Sequence, residues 1–432
     1  MKFFNIKKCL KCVVFFSLLS VIIFLTANLV KKKDSYYNKD PFFSTEANYD
    51  VLFFGSSHMH EGIDPIYLWK NYGISSYNLG SSGESIQMTY YVIKAALEHS
   101  HPKAIVVDSF KIDDNPNDID EGYAFVHESI DALPFNENKL EAINYAGKFF
   151  DGGKMAFLSN LYAYHGRISE LEKKDFKKSW NYDKGAYILT GICNVETVDP
   201  ASYIEDTTEF NDGDGIVFYK KIVELCKEKN VKLILVNIPA NIENYTEKRQ
   251  KKTNTLMKYT VDNGGMAINF LPLLDKIGMD YSTDFGDATH LNELGAAKTA
   301  DYLADYLKTN LEIPDRRSDE NYAARWNSDI EKWYAQQIEM LAEKKDAISY
   351  LFLAFNEDRD IKVSMVDPSA ASQMYGLEFC LNKIGVIPEQ VNKHDIGDFD
   401  MKIEVRNKSD NTWLASQYFY QNEGGNFYIA DK

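Results

Sequence analysis

The chain has 432 residues, 45% hydrophobic and 26% charged. That is ordinary globular usage, which excludes a disordered chain or a fibrous repeat and leaves room for two or three domains with cores that need no disulfides. Its 48 basic and 64 acidic side chains give a net charge of −16; seven of the lysines stand in residues 1–33, which carry no acid, so the remainder is at −23. A body of that sign argues against nucleic acid as a partner, and any polyanionic substrate must be handed over locally.

The first informative segment is Cys12 to Val30, 19 residues without a charge. As a helix at ~1.5 Å per residue it reaches ~28 Å, about the thickness of bilayer hydrocarbon. The run ends at Val30 and Lys31-Lys32-Lys33 instead of small residues, so residues 1–33 read as an uncleaved anchor, with a secretory signal peptide as the competitor. Lysines flank the span on both sides. The absence of acids before it favours a cytoplasmic N-terminus, with the bulk of the chain extracytoplasmic. The five cysteines, Cys9, Cys12, Cys193, Cys226 and Cys380, form neither a disulfide framework nor a zinc pattern.

After a polar stretch, Val51 to Phe54 predicts a short buried strand stopped at once by Gly55-Ser56-Ser57. A helix over about 64–71, a strand over Ser75 to Leu79, a helix over Ile86 to His99 and a strand over Ala104 to Asp108 follow. Strand and helix in alternation imply parallel pairing. Residues 111–212 break the rhythm: they are aromatic-rich, with helical pieces at Glu137 to Phe150 and Leu158 to Lys174, and are expected to be an insertion covering one sheet face. The alternation resumes with a helix near 216–229, a strand over Val231 to Val236, a helix near 248–263, a strand over Ala267 to Phe270 and a helix over Glu293 to Leu307. Beyond Pro314 an amphipathic helix carries Tyr322, Trp326, Ile330, Trp333 and Leu341. Strand-like runs follow at Tyr350 to Phe355, Ile361 to Val366, Met401 to Val405 and Trp413 to Tyr420. The expected organisation is an anchor at 1–33, a three-layer, parallel-sheet α/β domain at 48–312 and a small α+β domain at 315–432.

The sharpest local feature is Phe53-Phe54-Gly55-Ser56-Ser57-His58. It places a hydroxyl at the carboxyl edge of a parallel sheet, where open α/β folds bind ligands. A serine is a poor nucleophile unless a base takes its proton and a carboxylate orients that base. Of the eight histidines, only His290 stands three residues after an aspartate, Asp287, in a loop just before a late helix. Ser57 is the expected nucleophile and Ser56 its alternative. His58 reads equally as a wall residue or a participant. His127, His165 and Arg167 are candidates to line a substrate groove, with a solvated or core role as the bland alternative. His58-Met59-His60-Glu61 also has the H-x-H spacing by which two imidazoles can share a metal ion, but the other histidines form no second ligand cluster.

Three blocks in order, Gly55-Ser56-Ser57, Asn78-Leu79-Gly80-Ser81-Ser82-Gly83 and Asp287-Ala288-Thr289-His290, resemble the SGNH/GDSL-type hydrolase superfamily and, within it, the membrane-anchored DltD-like branch. The resemblance covers about residues 48–312 and implies a flavodoxin-like SGNH fold, with Ser57 as nucleophile, His290 as base, Asp287 as orienting acid and Gly80 as an oxyanion-hole amide. Where the superfamily has Gly-x-Asn-Asp, this chain has Val107-Asp108-Ser109-Phe110, so the implied hole is the Ser57 and Gly80 amides with Ser109 as a third donor. The implied activity is ester hydrolysis or acyl transfer through an acyl-serine, without a cofactor. The implied substrate is an O-acylated cell-surface polysaccharide or teichoic-type polymer, and the implied partner a multipass membrane O-acyltransferase. The alternatives are a metal-dependent hydrolase and a non-catalytic surface or scaffold protein that keeps the fold.

Overall fold

The structure is a computed structural model that describes residues 6–31, 38–46, 48–112, 122–176, 182–210 and 213–429. Lys32 and Lys33 of the basic run lie outside the described residues. Helix α1 (Ile6–Val30) is, among the described residues, the one helix long and apolar enough to cross a membrane, with a mean hydropathy of 2.5 over Leu10–Val30. It fits a single-pass anchor or a signal sequence. Helix α2 (Lys39–Phe43) follows, and then the first sheet begins.

Strands β1 (Val51–Phe54), β2 (Ser76–Asn78), β3 (Ala104–Asp108), β4 (Lys232–Asn237) and β5 (Met266–Asn269) form a five-stranded, all-parallel sheet in the order β2-β1-β3-β4-β5. Alternate side chains of a strand face opposite ways. Accordingly, Leu52, Phe54, Ile105, Val107, Leu233 and Leu235 enter one core cluster while Val51, Phe53, Val106, Ile234, Val236 and Ile268 enter the other. Burial on both faces explains why these strands read as continuous apolar runs.

Helices α3 (Ser57–Gly62), α4 (Pro65–Tyr72) and α5 (Ile86–His99) lie between the first three strands. Between β3 and β4 the described residues hold α6 (Tyr123–Ile130), α7 (Glu137–Ala146), α8 (Met155–Leu158) and α9 (Asn160–Tyr164). The long helix expected over Leu158 to Lys174 is thus broken: α9 gives way at His165 to 3-10 turns. Then come α10 (Asp214–Glu228), α11 (Glu247–Asp262), α12 (Leu274–Ile277) and α13 (Glu293–Leu311). Side chains of α5, α10 and α11 fill the first cluster and those of α3 and α13 the second, while α4 sends Ile66 and Trp69 to the first and Leu68 to the second. The result is a helix–sheet–helix sandwich.

The chain continues through α14 (Glu320–Leu341) and α15 (Ala347–Ala354) to a second sheet. This holds β6 (Arg359–Met365), β7 (Glu389–Gln390), β8 (Met401–Asn407), β9 (Trp413–Gln421) and β10 (Phe427–Tyr428) in the order β10-β9-β8-β6-β7, antiparallel except for β6–β7, with α16 (Leu377–Ile384) packed against it. The strand expected over Tyr350 to Phe355 is a correction: it is helix α15. An apolar run with no periodicity does not distinguish a buried strand from a buried helix. The side chain of Asp346, accepting from Ser349 N at 2.8 Å, starts the helix.

Candidate active site

The strand order reverses direction between β1 and β3, so connections leave the carboxyl ends of these neighbours in opposite senses and open a crevice. β1 delivers Gly55, Ser56 and Ser57 to that edge, and β3 delivers Asp108. Gly55 has φ +134°, and a Cβ there would lie 2.2 Å from Asp108 Oδ2, so only glycine fits. Asp108 Oδ2 accepts from Ser56 N (2.6 Å) and Ser56 Oγ (3.0 Å), and its Oδ1 from Phe110 N (2.9 Å). Burial nevertheless pushes its carboxyl up to about 6. Ser56 also caps α3 by accepting from His58 N. Ser56 is therefore committed to structure, and Ser57, at the first position of α3, carries the available hydroxyl.

That hydroxyl meets the late loop. Ser57 Oγ lies 2.9 Å from His290 Nε2, although the two residues are 233 positions apart. On the far side of the ring, His290 Nδ1 lies 2.9 Å from Asp287 Oδ2 and 3.1 Å from its Oδ1. Asp287 is itself fixed, because Oδ1 accepts from the backbone N–H groups of Thr289 and His290, both at 2.8 Å. The loop is closed by Asn292, fully buried, whose Nδ2 donates to the carbonyls of Gly191, Thr283 and Phe285 while its Oδ1 caps α13. An aspartate on Nδ1–H leaves Nε2 as acceptor, so the Ser57 O–H donates to it.

The electrostatics match the geometry. Burial raises the Asp287 carboxyl, but hydrogen bonds from the His290 ring and from the Thr289 and His290 amides outweigh it and hold the group well below the usual carboxylate range. Burial lowers the His290 imidazole, yet its bond to Asp287 and the charges of Glu61 and Asp287 raise it above the ordinary value. Glu61, one turn after Ser57, is the residue that sequence reasoning missed. Its buried Oε2 lies 3.4 Å from His290 Nδ1, and desolvation pushes its carboxyl up to about 7. The signal was present in Ser57-His58-Met59-His60-Glu61, but only a helix there puts Ser57 and Glu61 on one side.

Two of the three expected oxyanion donors need correction. Gly80 N donates to Asn78 Oδ1 at 3.0 Å, while Asn78 Nδ2 donates to the carbonyls of Met59 and Ile63. Asn78 thus laces the second block to α3 and takes the Gly80 amide with it. Ser109 N donates to Val236 O at 2.8 Å, and Ser109 Oγ to Asn237 Oδ1 at 3.2 Å, because β3 runs on beside β4. What remains is the Ser57 amide, which at the first helical position has no intrahelical acceptor.

His58 is brought to the site: its ring centroid is 5.0 Å from that of His290 and 3.9 Å from that of Phe110. Burial holds it down at about 3, so it is neutral. It walls a cavity of about 80 Å³, together with Ser109, Phe110, Asn237, Arg249 and Lys252; at ~30 Å³ per water this admits about two or three waters or a compact acyl or oxyanion group. A larger hollow of about 500 Å³ lies at the amino ends of β3 and β4, beside Lys103 and Lys232, away from the pair. The expected groove residues are placed elsewhere. His127 is buried with Asp131, Phe157 and Tyr164; His165 bonds Tyr162 O; Arg167 bonds Val30 O and Asp175. None of these contacts involves Ser57 or His290.

A shared ion on His58 and His60 is also not what the fold provides. The pair sits on a helix, where residues two apart point away from each other, and His60 faces Tyr187 while His58 faces Phe110. Ligand atoms of Glu61, Asp287 and His290 do lie within 4.8 Å of one another. In that group Nδ1 already bonds Asp287. No protein-family model matches the chain, and no curated protein matches it.

Proposed function

We propose that this protein is a membrane-anchored serine esterase or O-acyltransferase of the SGNH type, facing out of the cell. We propose that it moves O-acyl groups to or from a cell-surface polysaccharide or teichoic-type polymer, and that a multipass membrane O-acyltransferase supplies or receives them. The observation that carries the catalytic part is the chain of contacts from Asp287 through His290 to Ser57, at 2.9 Å on each side of the ring. The order β2-β1-β3-β4-β5 and the three sequence blocks support the family reading, with the segment between β3 and β4 read as an insertion.

In the reaction, Ser57 Oγ attacks the acyl carbonyl carbon as its proton passes to His290 Nε2. The bond from that carbon to the alcohol oxygen breaks, and the same proton goes to the departing oxygen. Water or an acceptor hydroxyl then repeats the sequence on the acyl-serine, returning the proton to Ser57. Asp287 stabilises the imidazolium between the two transfers. The Ser57 amide is the oxyanion donor the hydrogen bonding leaves open, and the loss of one donor typically costs ~10²–10³ in rate. Slow turnover of simple esters is therefore expected.

The test is labelling by a fluorophosphonate probe, abolished by Ser57→Ala with the fold intact. The commitment of the Gly80 and Ser109 donors favours a second reading, a scaffold that has kept the fold. It predicts that a Ser57→Ala, His290→Ala chain retains its cellular role, whereas the enzymatic reading predicts a loss equal to deletion.

A further inference from the structure

We propose that residues 155–176 lie in the headgroup layer of the bilayer that α1 enters, giving the protein a second, interfacial attachment beside its anchor. This rests on the reading of α1 as a retained anchor. From Leu10 to Leu25 the helix is exposed, whereas Thr26, Ala27 and Leu29 are partly covered and Val30 is fully buried. What covers this last turn is α9 together with the 3-10 turns over His165–Glu170 and Lys173–Phe176. Arg167 Nη1 donates to Val30 O at 2.6 Å, and Nη2 to Asp175 Oδ1 at 2.9 Å. The guanidinium therefore satisfies a carbonyl that the end of α1 leaves without an intrahelical partner and complements the negative end of the helix dipole. These contacts fix residues 155–176 at the depth where the apolar run of α1 stops, which is the boundary between hydrocarbon and headgroups.

The same residues present Met155, Leu158, Tyr162, Ile168 and Phe176 to solvent, each 42–68% exposed. Five large apolar or aromatic side chains within 22 positions, beside the exposed flank of the anchor, are the composition of a segment that lies in the membrane surface, where amphipathic rings gather. Lipid is the occupant because this surface continues that of α1, which must itself be lipid-covered. A second tie carries the placement to the catalytic edge. Asn38 Nδ2 donates to the carbonyls of Asn78, Gly80 and Gly185, and Lys39 Nζ to Ser81 Oγ, only a few residues after the anchor. Lys31 Nζ, just past α1, donates to Asp40 Oδ2 at 2.7 Å and so joins the end of the anchor to this segment, an arrangement that suits the Ser57 crevice to a substrate presented at the membrane surface.

The test uses the full chain in phosphatidylcholine vesicles whose lipids are brominated near the headgroup end of the acyl chains. The emission added by Ile168→Trp is expected to be blue-shifted and quenched several-fold. The emission added by Ile387→Trp, at an 88% exposed position beside the second sheet, is expected to be unquenched. Emission from Ile168→Trp that is blue-shifted but unquenched, the mark of a protein partner or a second copy on this face, overturns the proposal, as does unshifted emission. A chain that fails to float with the vesicles overturns the retained anchor and this placement together. A chain that floats without quenching overturns the placement alone.

Discussion

Glu61 Oε2 stands 3.4 Å from His290 Nδ1, the atom that Asp287 already holds, so one imidazole nitrogen faces two carboxylates. If His290 is the base, it works only when neutral, and its raised affinity for the proton is expected to place the acid limb of activity above the ordinary histidine value. Desolvation raises the Glu61 carboxyl as well, to about 7, and because both carboxylates lie beside Nδ1 the protonation of Glu61 and His290 is coupled. Glu61→Gln removes a negative charge that favours the imidazolium. The acid limb of kcat/KM, or of the fluorophosphonate labelling rate, is therefore expected to move to lower pH. A limb that stays in place shows that the Glu61 charge does not reach the base.

Asp287→Asn tests orientation separately from charge. The asparagine carbonyl still accepts from Thr289 N and His290 N, so the loop keeps its shape. The amide NH₂, however, faces Nδ1 and drives the proton to Nε2, where it blocks acceptance from Ser57. The expected loss is ~10²–10⁴ in kcat with KM little changed. Steady-state kinetics showing a loss confined to KM would assign Asp287 to binding instead.

Gly55→Ala is expected to cost about 3 kcal/mol or more of stability. The new methyl meets Asp108 Oδ2 at 2.2 Å, on a backbone at φ +134° that alanine avoids. Gly213→Ala, with nothing within 4 Å of its Cβ, is the control. Denaturant unfolding curves of the two variants that coincide refute the close approach of β1 and β3 at this edge.

Lys39 and Glu84 form a fully buried pair at 3.1 Å, joining the segment after the anchor to the loop that follows β2. Lys39→Met alone leaves a buried carboxylate without its cation and is expected to destabilise by about 3–5 kcal/mol, whereas adding Glu84→Leu should restore most of the loss. Equal losses in the single and double variants would mean that the pair is not coupled.

Four strands of the first sheet were legible as short apolar runs cut by glycine, asparagine or aspartate, and the Ser57–His290–Asp287 contacts were legible because a serine nucleophile would require a histidine with its own acid. The rest needed tertiary information. The acceptors of the Gly80 and Ser109 amides are set by the Asn78 side chain and by β4, which no local spacing reveals. Glu61 became visible only once Ser57 was seen to open a helix. Lys39 and Glu84 are polar residues 45 positions apart, and nothing near either one announces a buried partner. Tyr350 to Phe355 misled because a run apolar on every side has no period to read.

Ser57, whose Oγ lies 2.9 Å from His290 Nε2, is proposed as the hydroxyl that His290 activates. This assignment is tested most directly by mass spectrometry of the full chain after fluorophosphonate treatment, with the adduct mapped to its peptide. One adduct is expected, on Ser57, absent in Ser57→Ala and slowed ~10³-fold or more in His290→Ala. An adduct on another residue, or labelling unchanged in Ser57→Ala, would contradict the assignment.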